Sequence, residues 1–316
     1  MTPETTFATR EEWLALRRTT VGASEVAALF GAQPPYAMSH YALWQAKAGR
    51  IPEPDAGGER PRWGLLLEEA IMAGAAERNG WKHYRRCGYV YHPTVAGMGC
   101  SPDFVLLDGP AGTPIAAVEA KNADWLIHRR QWGDEPPLHI LLQAQHQMAC
   151  TGLGICHVVA LVGGNDLHCY PIERRPTVIA EIERRVAAFW ASIRDGKEPP
   201  IDGSESTAAA VAALYPHDDG EDEPLDMSAD NALPDLCANL LTATALRRQY
   251  EAAEREAKTS ILAKMRTAKA ALCNGYRISA PEVRGTPDRV IREADVGTVI
   301  KGRAGHRRLS VREAGA

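Results

Sequence analysis

The chain has 316 residues, of which 45% are hydrophobic and 24% charged, as in an ordinary globular protein. Its 36 Lys and Arg residues face 40 Asp and Glu residues, so the net charge of −4 excludes a uniformly basic surface, and any nucleic-acid contact needs a local basic groove. The sequence has no apolar run of the ~18 residues that span a membrane and no apolar signal core, and its seven cysteines form no C-x-x-C pair, so we expect a cytoplasmic protein without a membrane segment.

The first 80 residues have helical periodicity. A first helix is predicted around Trp13, Leu16 and Arg17, and Gly22, Ala23 and Ser24 are predicted to cap the next one. This second helix is predicted at residues 25–29, and further helices at 41–47 and 63–78, with a loop rich in Pro and Gly at 51–61.

The middle of the chain alternates strands and helices. Strands are predicted at residues 87–92, 102–107, 115–121, 157–162 and 166–172, and helices at 138–150 and 176–193. The second and third strands flank the turn 108–113 and are predicted to form a hairpin. This order predicts a mixed α/β core over about residues 10–202.

The composition changes beyond the core. An acidic stretch at 218–226 is typical of a solvated linker, and an Ala-rich helix is predicted at 233–272 before a basic tail. We therefore expect an α/β core at 10–205, an acidic linker at 206–230 and a helical appendage with a basic tail at 231–316. The long helix either folds back within its own chain or pairs with another copy or a partner as a coiled coil.

The strongest chemical signal is Asp103, which follows Pro102, together with Glu119-Ala120-Lys121 on the next strand. The two-residue period of a strand puts Glu119 and Lys121 on one face, with Ala120 on the other. If the turn is centred on Ala111, Asp103 pairs with Glu119 at about 5 Å. Two carboxylates at that separation favour a hard divalent cation, Mg²⁺ or Mn²⁺, between them.

Lys121 then has its own role, because an ammonium group beside a bound water lowers the pKa of that water or stabilises charge on a phosphorane. An Asp followed by Glu-x-Lys on neighbouring strands resembles the motif of the PD-(D/E)XK nuclease superfamily. The alternative to a nuclease motif is that the same residues form a surface hairpin with an ordinary cross-strand ion pair.

Further segments resemble the YqaJ-type viral recombinase family, which is similar to phage lambda exonuclease, in the same order along the chain. They are Trp13-Leu14-Ala15-Leu16-Arg17, Gly22-Ala23-Ser24-Glu25-Val26, Trp63-Gly64-Leu65-Leu66-Leu67-Glu68, Cys100-Ser101-Pro102-Asp103, Glu119-Ala120-Lys121 and the stretch from Gln143 to Gly152. The resemblance covers about residues 13–190 and stops near residue 205.

The resemblance implies a role for individual residues. Glu68, Asp103, Glu119 and the carbonyl of Ala120 are expected to hold two metal ions, and helical periodicity alone does not distinguish Glu68 from Glu69. Lys121 is expected to act on the nucleophilic water, and Gln143 to position that water or the scissile phosphate. Arg17 and Ser24 are expected to bind a phosphate at the DNA end.

The resemblance also implies the fold and the activity. The expected fold is a restriction-endonuclease-like α/β core, with a mixed sheet flanked by helices and a C-terminal long-helix appendage. The expected activity is Mg²⁺- or Mn²⁺-dependent exonuclease digestion of linear double-stranded DNA ends, 5′ to 3′, in phage-type recombination. A single-strand annealing protein and further copies of the chain are the expected partners, in the cytoplasm of a bacterial host.

Two other functions stay open at this point. One is an endonuclease or nickase with the same active site, and the other is a DNA-binding or assembly protein with a silent core.

The stretch from Trp125 to Trp132, which holds Arg129 and Arg130, has two interpretations. It either lines a DNA groove or packs its two Trp side chains into the core.

Overall fold

The computed structural model describes residues 3–6, 9–52, 58–217, 225–285, 289–290, 299–300, 306–307 and 310–313. The chain divides into two compact units, Met1–Asp219 and Gly220–Ala316. The division falls within the predicted acidic linker, most of whose acidic residues, 218–224, lie outside the described residues.

The first unit contains both strands and helices. Its strands are β1 (Glu4–Thr5), β2 (Tyr84–Arg86), β3 (Tyr89–Tyr91), β4 (Gly99–Cys100), β5 (Phe104–Leu107), β6 (Pro114–Ala123), β7 (Ile155–Val162) and β8 (Asp166–Glu173). Its helices are α1 (Arg10–Thr19), α2 (His40–Lys47), α3 (Glu59–Asn79), α4 (Trp125–Gln131), α5 (Leu138–Thr151), α6 (Pro176–Arg194) and α7 (Glu205–Leu214), with a 3₁₀ helix at Val26–Phe30.

A five-stranded mixed sheet forms the centre of this unit, with the strand order β2-β5-β6-β7-β8. Strands β6 and β7 are parallel, and the other neighbours are antiparallel. The connection between the two parallel strands carries α4 and α5, as a crossover between parallel strands requires. A smaller sheet, β1-β3-β4, lies in the same unit.

The β5–β6 hairpin has the predicted register. Phe104 pairs with Val118 and Val105 with Ala117, so the strands are aligned as if the turn were centred on Ala111. The register shifts only between Leu106 and Leu107, at the end next to the turn. The hairpin therefore brings the chain at Asp103 beside Glu119, although Asp103 itself precedes the first residue of β5.

Helices cover both faces of the central sheet. On one face, Met72 and Ala75 of α3 belong to a buried cluster with Phe104 and Val118. On the other face, Met148 of α5 belongs to a second buried cluster, which includes the neighbouring strand residues Val105 and Ala117. Adjacent residues of β6 thus point into different clusters, as the two-residue period requires. The predicted mixed sheet flanked by helices is confirmed.

Several elements of the first unit differ from the sequence-based expectations. The short helix predicted at 25–29 is a 3₁₀ helix at Val26–Phe30, and no side chain caps it. Helix α3 begins at Glu59, inside the predicted loop 51–61, of which residues 53–57 lie outside the described part. Helix α7 occupies the first part of the predicted linker, and its Thr207 hydroxyl bonds to that of Ser39 at 2.7 Å in the interior of the first unit.

The second unit begins with α8 (Leu233–Met265), which is shorter than the helix predicted at 233–272. It ends at Arg266, whose φ of 48° is incompatible with a continued helix. Its described side chains are largely exposed, so the stripe through Leu240, Leu246 and Tyr250 is uncovered within this unit.

Short strands follow α8: β9 (Ala270–Cys273), β10 (Tyr276–Ser279), β11 (Glu282–Val283), β12 (Arg289–Val290), β13 (Val299–Ile300), β14 (His306–Arg307) and β15 (Ser310–Glu313). Cys273 pairs with Tyr276 across a two-residue loop, Asn274-Gly275. Asn-Gly is the preferred sequence of such a hairpin turn, and the predicted helix at 233–272 was wrong where its last residues form β9. Among the helices of the described residues, none is long and apolar enough to span a membrane.

Candidate active site

The carboxylate of Glu119 is the centre of a buried polar cluster in the first unit. Its Oε1 accepts hydrogen bonds from Nζ of Lys121 and from Nε2 of Gln143, both at 2.6 Å. Its Oε2 accepts one from Nε2 of Gln147 at 2.5 Å. A buried carboxylate is costly without partners, and these three donors supply them.

Local geometry explains why these side chains converge. Glu119 and Lys121 are two residues apart on β6 and therefore project from the same face of the sheet. Gln143 and Gln147 are four residues apart on α5 and therefore lie on one face of that helix. Helix α5 packs across the face of β6 that carries Glu119. The sequence analysis selected Gln143 and missed Gln147, although the four-residue spacing could have revealed it.

Asp103 lies beside this cluster. Its Oδ2 accepts a hydrogen bond from the backbone N–H of Ala120 at 2.7 Å, which fixes the carboxylate at the edge of β6. Burial raises the pKa of Asp103 well above its usual value, and the negative charges of Glu119 and Glu68 raise it further, against the opposing effects of Lys121 and the Ala120 N–H. The predicted crowding of two carboxylates is therefore present.

The ammonium group of Lys121 is held in its charged form. Burial lowers the pKa of Lys121, but the carboxylates of Glu119 and Asp103 raise it by more, so the net shift is upward. The positive charge of Lys121 also contributes, after burial, to a lowered pKa of His139. A positive charge is thus bonded to Glu119 and influenced by Asp103, where it can act on a phosphate or a water.

Glu68 and Glu69 of α3 both bind Arg86 of β2. Nη1 of Arg86 donates to Oε2 of Glu68 at 2.5 Å, and Nε donates to Oε1 of Glu69 at 2.7 Å. The Glu68 side chain is 17% exposed and that of Glu69 62% exposed. Glu68 is also the one whose charge raises the pKa of Asp103, so the geometry favours Glu68 as the residue directed towards the site.

The residues present fit a hard divalent cation. Asp103, Glu119 and the carbonyl of Ala120 offer oxygen donors, and the mutual repulsion of the two carboxylates is what such an ion relieves. Within the part of the chain that the structure describes, no three His, Cys, Asp or Glu side chains are arranged to hold a metal ion. Glu68 is instead bonded to Arg86. The binding of two metal ions therefore remains a prediction.

Arg17 and Ser24 lie around a second buried carboxylate, that of Glu25. Nη2 of Arg17 donates to Glu25 at 2.7 Å, Nζ of Lys47 donates at 3.0 Å, and the N–H of Gly22 donates at 2.8 Å. Burial alone raises the pKa of Glu25, but Lys47, Arg17 and the Gly22 amide together bring it below its usual value. The sequence analysis missed the roles of Glu25 and Lys47.

The cluster around Glu25 is partly exposed to solvent. The hydroxyl-bearing Ser24 is exposed, and the Arg17 side chain is partly exposed while it binds Glu25. Val21, between the two, forms a bridge with Met98 and accepts a hydrogen bond from Gly99 of β4, the strand that leads to Asp103. The backbone therefore links the predicted phosphate-binding residues to the candidate active site.

The two Trp side chains around α4 have different environments. Trp125 is 54% exposed, and the guanidinium of Arg129 lies 5.5 Å from its ring centroid. Trp132 is partly buried and packs on Tyr170, with ring centroids 5.4 Å apart. Of the two Trp residues, only Trp132 matches the core-packing interpretation, and Trp125 lies on the surface.

A mixed sheet flanked by helices, with Asp103 before one strand and Glu119-x-Lys121 on the next, defines a PD-(D/E)XK nuclease fold. Residues 12–154 match the YqaJ-like viral recombinase domain family. The resemblance inferred from the sequence is therefore confirmed over these residues.

Individual proteins are similar to this chain over much of its length. The chain is 25% identical to the uncharacterised protein YqaJ of Bacillus subtilis (strain 168) over 226 residues, which cover 70% of this chain and 68% of that protein. It is 30% identical to the alkaline exonuclease LHK-Exo of Laribacter hongkongensis, with 59% of this chain and 94% of that chain covered and a TM-score of 0.49. The structure of LHK-Exo in complex with dAMP matches with 28% identity and a TM-score of 0.47, over the same shares of the two chains.

Proposed function

We propose that this protein is a metal-dependent DNA exonuclease that hydrolyses phosphodiesters at the ends of linear double-stranded DNA in phage-type recombination. The observation that carries the proposal is the cluster in which Glu119 binds Lys121 and Gln143 while Asp103 is fixed beside it. The match of residues 12–154 to the YqaJ-like viral recombinase domain family supports the same activity.

Asp103, Glu119, the Ala120 carbonyl and Glu68 are the groups that would hold Mg²⁺ or Mn²⁺. When bound, such a cation supplies a Lewis acid and lowers the pKa of a water. Glu119 is oriented by its three hydrogen bonds. Asp103 is kept in place by the Ala120 N–H, so neither carboxylate needs to reorganise during the reaction.

Lys121 and Gln143 act on the reacting groups. The ammonium group of Lys121 is charged and can donate to the attacking water or to a phosphoryl oxygen, where it stabilises the negative charge that develops. Gln143 donates through Nε2 to Glu119, and its carbonyl oxygen can accept a hydrogen bond from the same water. No protein nucleophile is needed for this hydrolysis.

Arg17 and Ser24 are proposed to bind the terminal phosphate. The carboxylate of Glu25 fixes the Arg17 guanidinium, and Lys47 adds a second positive charge to the same cluster. Arg presents several donors in a planar group that matches a phosphate. A 5′ phosphate at the DNA end would then direct digestion from 5′ to 3′.

The remaining proposals follow from the family. We propose that the nuclease core begins near residue 10 and includes α7, that the acidic stretch at 218–226 joins it to the appendage at 231–316, and that two ions act together. We further propose that the chain forms a homo-oligomer and passes a 3′ single strand to an annealing protein in the cytoplasm of a bacterial host.

The proposal is tested by digesting linear duplex DNA labelled at its 5′ or its 3′ end, with Mg²⁺ or with EDTA, beside a closed circular duplex. The expected result is Mg²⁺-dependent release of the 5′ label with circles left intact. Cut circles would replace the exonuclease with an endonuclease or nickase. Binding without cleavage would indicate a DNA-binding protein with a silent core.

A further inference from the structure

The guanidinium of Arg86 bridges two adjacent carboxylates of α3. It donates to Glu68 at 2.5 Å and to Glu69 at 2.7 Å, and it lies 4.7 Å from the ring centroid of Phe104. An arginine is protonated at every pH at which a protein is folded. Glu68, one of the groups proposed above to hold a metal ion, therefore already has a cation bound to it.

Strand pairing ties Arg86 to the active site. Residues of β2 pair with β5, and Arg86 lies directly opposite Phe104, the residue that follows Asp103. The next residue, Cys87, donates its N–H to the carbonyl of Asp103 at 3.4 Å. The position of Arg86 is thus set by the same backbone that positions Asp103.

The two acceptors of Arg86 are not equivalent. The side chain of Glu68 is 17% exposed and its charge acts on Asp103, whereas that of Glu69 is 62% exposed. The Arg86 side chain itself is 46% exposed. Ion pairs with this exposure are weak, so the bond to Glu68 can be exchanged without unfolding the site.

We propose that Arg86 is a built-in counter-ion, which neutralises Glu68 in the ion-free protein and is retained by Glu69 when Glu68 turns to a divalent cation. The inference rests on the proposed function, because it requires a metal site at Asp103, Glu119 and Glu68. It gives Glu69 a role other than that of a ligand: Glu69 is the acceptor that keeps Arg86 in place after the exchange. Both are positioning residues.

The proposal predicts opposite effects for the two partners. Arg86→Gln removes the competing cation, so Mn²⁺ binds more tightly, by about two- to fivefold for an ion pair of this exposure. Glu69→Gln removes the alternative acceptor, so Arg86 stays on Glu68 and Mn²⁺ binds more weakly by a similar factor. In the Arg86→Gln background, Glu69→Gln has little further effect, since no guanidinium remains to be placed.

Two variants control for the change of charge. Arg85→Gln alters the neighbouring residue of β2, whose side chain is 44% exposed and bound to Glu4. Glu77→Gln alters an exposed carboxylate on α3, farther along the helix. Each control changes the net charge as its partner variant does, without touching Glu68, and is expected to leave Mn²⁺ affinity close to that of the wild type.

The experiment is calorimetric titration of the full-length, DNA-free chain with Mn²⁺ at constant ionic strength, with Asp103→Ala as the blank and circular dichroism as a check of folding. Tighter binding by Arg86→Gln and weaker binding by Glu69→Gln, with unchanged controls, is the expected result. Unchanged or weaker binding by Arg86→Gln overturns the counter-ion role and leaves the proposed function intact. Wild-type binding no different from the blank overturns the metal site and this inference together.

Discussion

Gln147 donates its side-chain amide to Oε2 of Glu119 at 2.5 Å, and both residues are buried between α5 and β6. The carbonyl oxygen of the same amide accepts the thiol of Cys156 at 3.4 Å, so the amide orientation is fixed from the other side. Gln147 therefore holds the inner oxygen of Glu119, while Lys121 and Gln143 share the outer one.

Replacement of Gln147 is expected to reduce both stability and catalysis. Gln147→Leu leaves a buried carboxylate oxygen without its donor, which costs about 1–3 kcal/mol of unfolding free energy. It also frees Glu119 to rotate, so the rate of DNA cleavage per folded molecule falls. Chemical denaturation and single-turnover digestion measure the two effects separately.

Gln145 provides the matched control for this prediction. It is buried on the same helix, but it binds the backbone of Glu173 and Arg175. Gln145→Leu is expected to lose a similar amount of stability and to keep the cleavage rate of its folded fraction. Equal cleavage rates for the folded fractions of the two variants would contradict the positioning role of Gln147.

Arg17→Ala is expected to weaken the preference for DNA ends with a 5′ phosphate over ends with a 5′ hydroxyl, because the variant removes the group proposed to bind that phosphate. The measurement is the ratio of digestion rates on the two ends. Arg18→Ala, which removes the same charge from the next, exposed residue, should leave the ratio unchanged. The same loss of rate on both ends in Arg17→Ala would argue against phosphate binding.

Glu25 gives a prediction about pH. Its pKa is below the usual value of 4.5 in the folded protein, so its ionised form stabilises the fold above that pH, and this stabilisation is lost as the pH falls through the lowered pKa. Glu25→Gln is therefore expected to cost about 3–5 kcal/mol at pH ~7, because it leaves Lys47 and Arg17 without their carboxylate. The cost should shrink towards zero in acid.

Denaturation of the wild type and Glu25→Gln at several pH values tests this dependence, since contributions from other acids cancel in the difference. A difference that stays constant from neutral to acidic pH would show that Glu25 contributes packing and not charge.

The exposed position of Trp125 predicts a selective effect on DNA binding. Trp125→Ala should change stability by no more than about 0.5 kcal/mol, as is usual for a surface side chain, while it reduces affinity for single-stranded DNA by removing a stacking surface. Trp132→Ala, which removes a ring packed on Tyr170, should instead destabilise the fold. Unchanged DNA affinity in Trp125→Ala would remove α4 from the DNA-binding surface.

Predictions from the sequence were most accurate where local periodicity determines the structure. The two-residue period of β6 placed Glu119 and Lys121 together, and the position of the turn set the register that brings in Asp103. Helix α5 could be predicted almost to its ends for the same reason, because its periodic residues continue from Leu138 to Gly152, where the chain turns.

Contacts between distant segments could not be predicted in this way. The bond between Arg86 and Glu68 joins a strand to a helix, and no spacing within either segment indicates it. The 3₁₀ helix at Val26–Phe30 was predicted as an α-helix because a short buried apolar run fits both forms. The helix predicted at 233–272 was too long because strand β9, which pairs with β10, was not recognised.

The central claim is that Asp103, Glu119 and Lys121 form a metal-dependent hydrolytic site, and the most direct test is single-turnover digestion of 5′-labelled linear duplex DNA. Wild type, Lys121→Ala and Asp103→Ala are compared with Mg²⁺, with EDTA, and with Mg²⁺ restored. We predict cleavage by the wild type that EDTA abolishes and Mg²⁺ restores, and a loss of at least about a hundredfold in each folded variant. Cleavage that persists in EDTA, or a wild-type rate in either variant, would contradict the account.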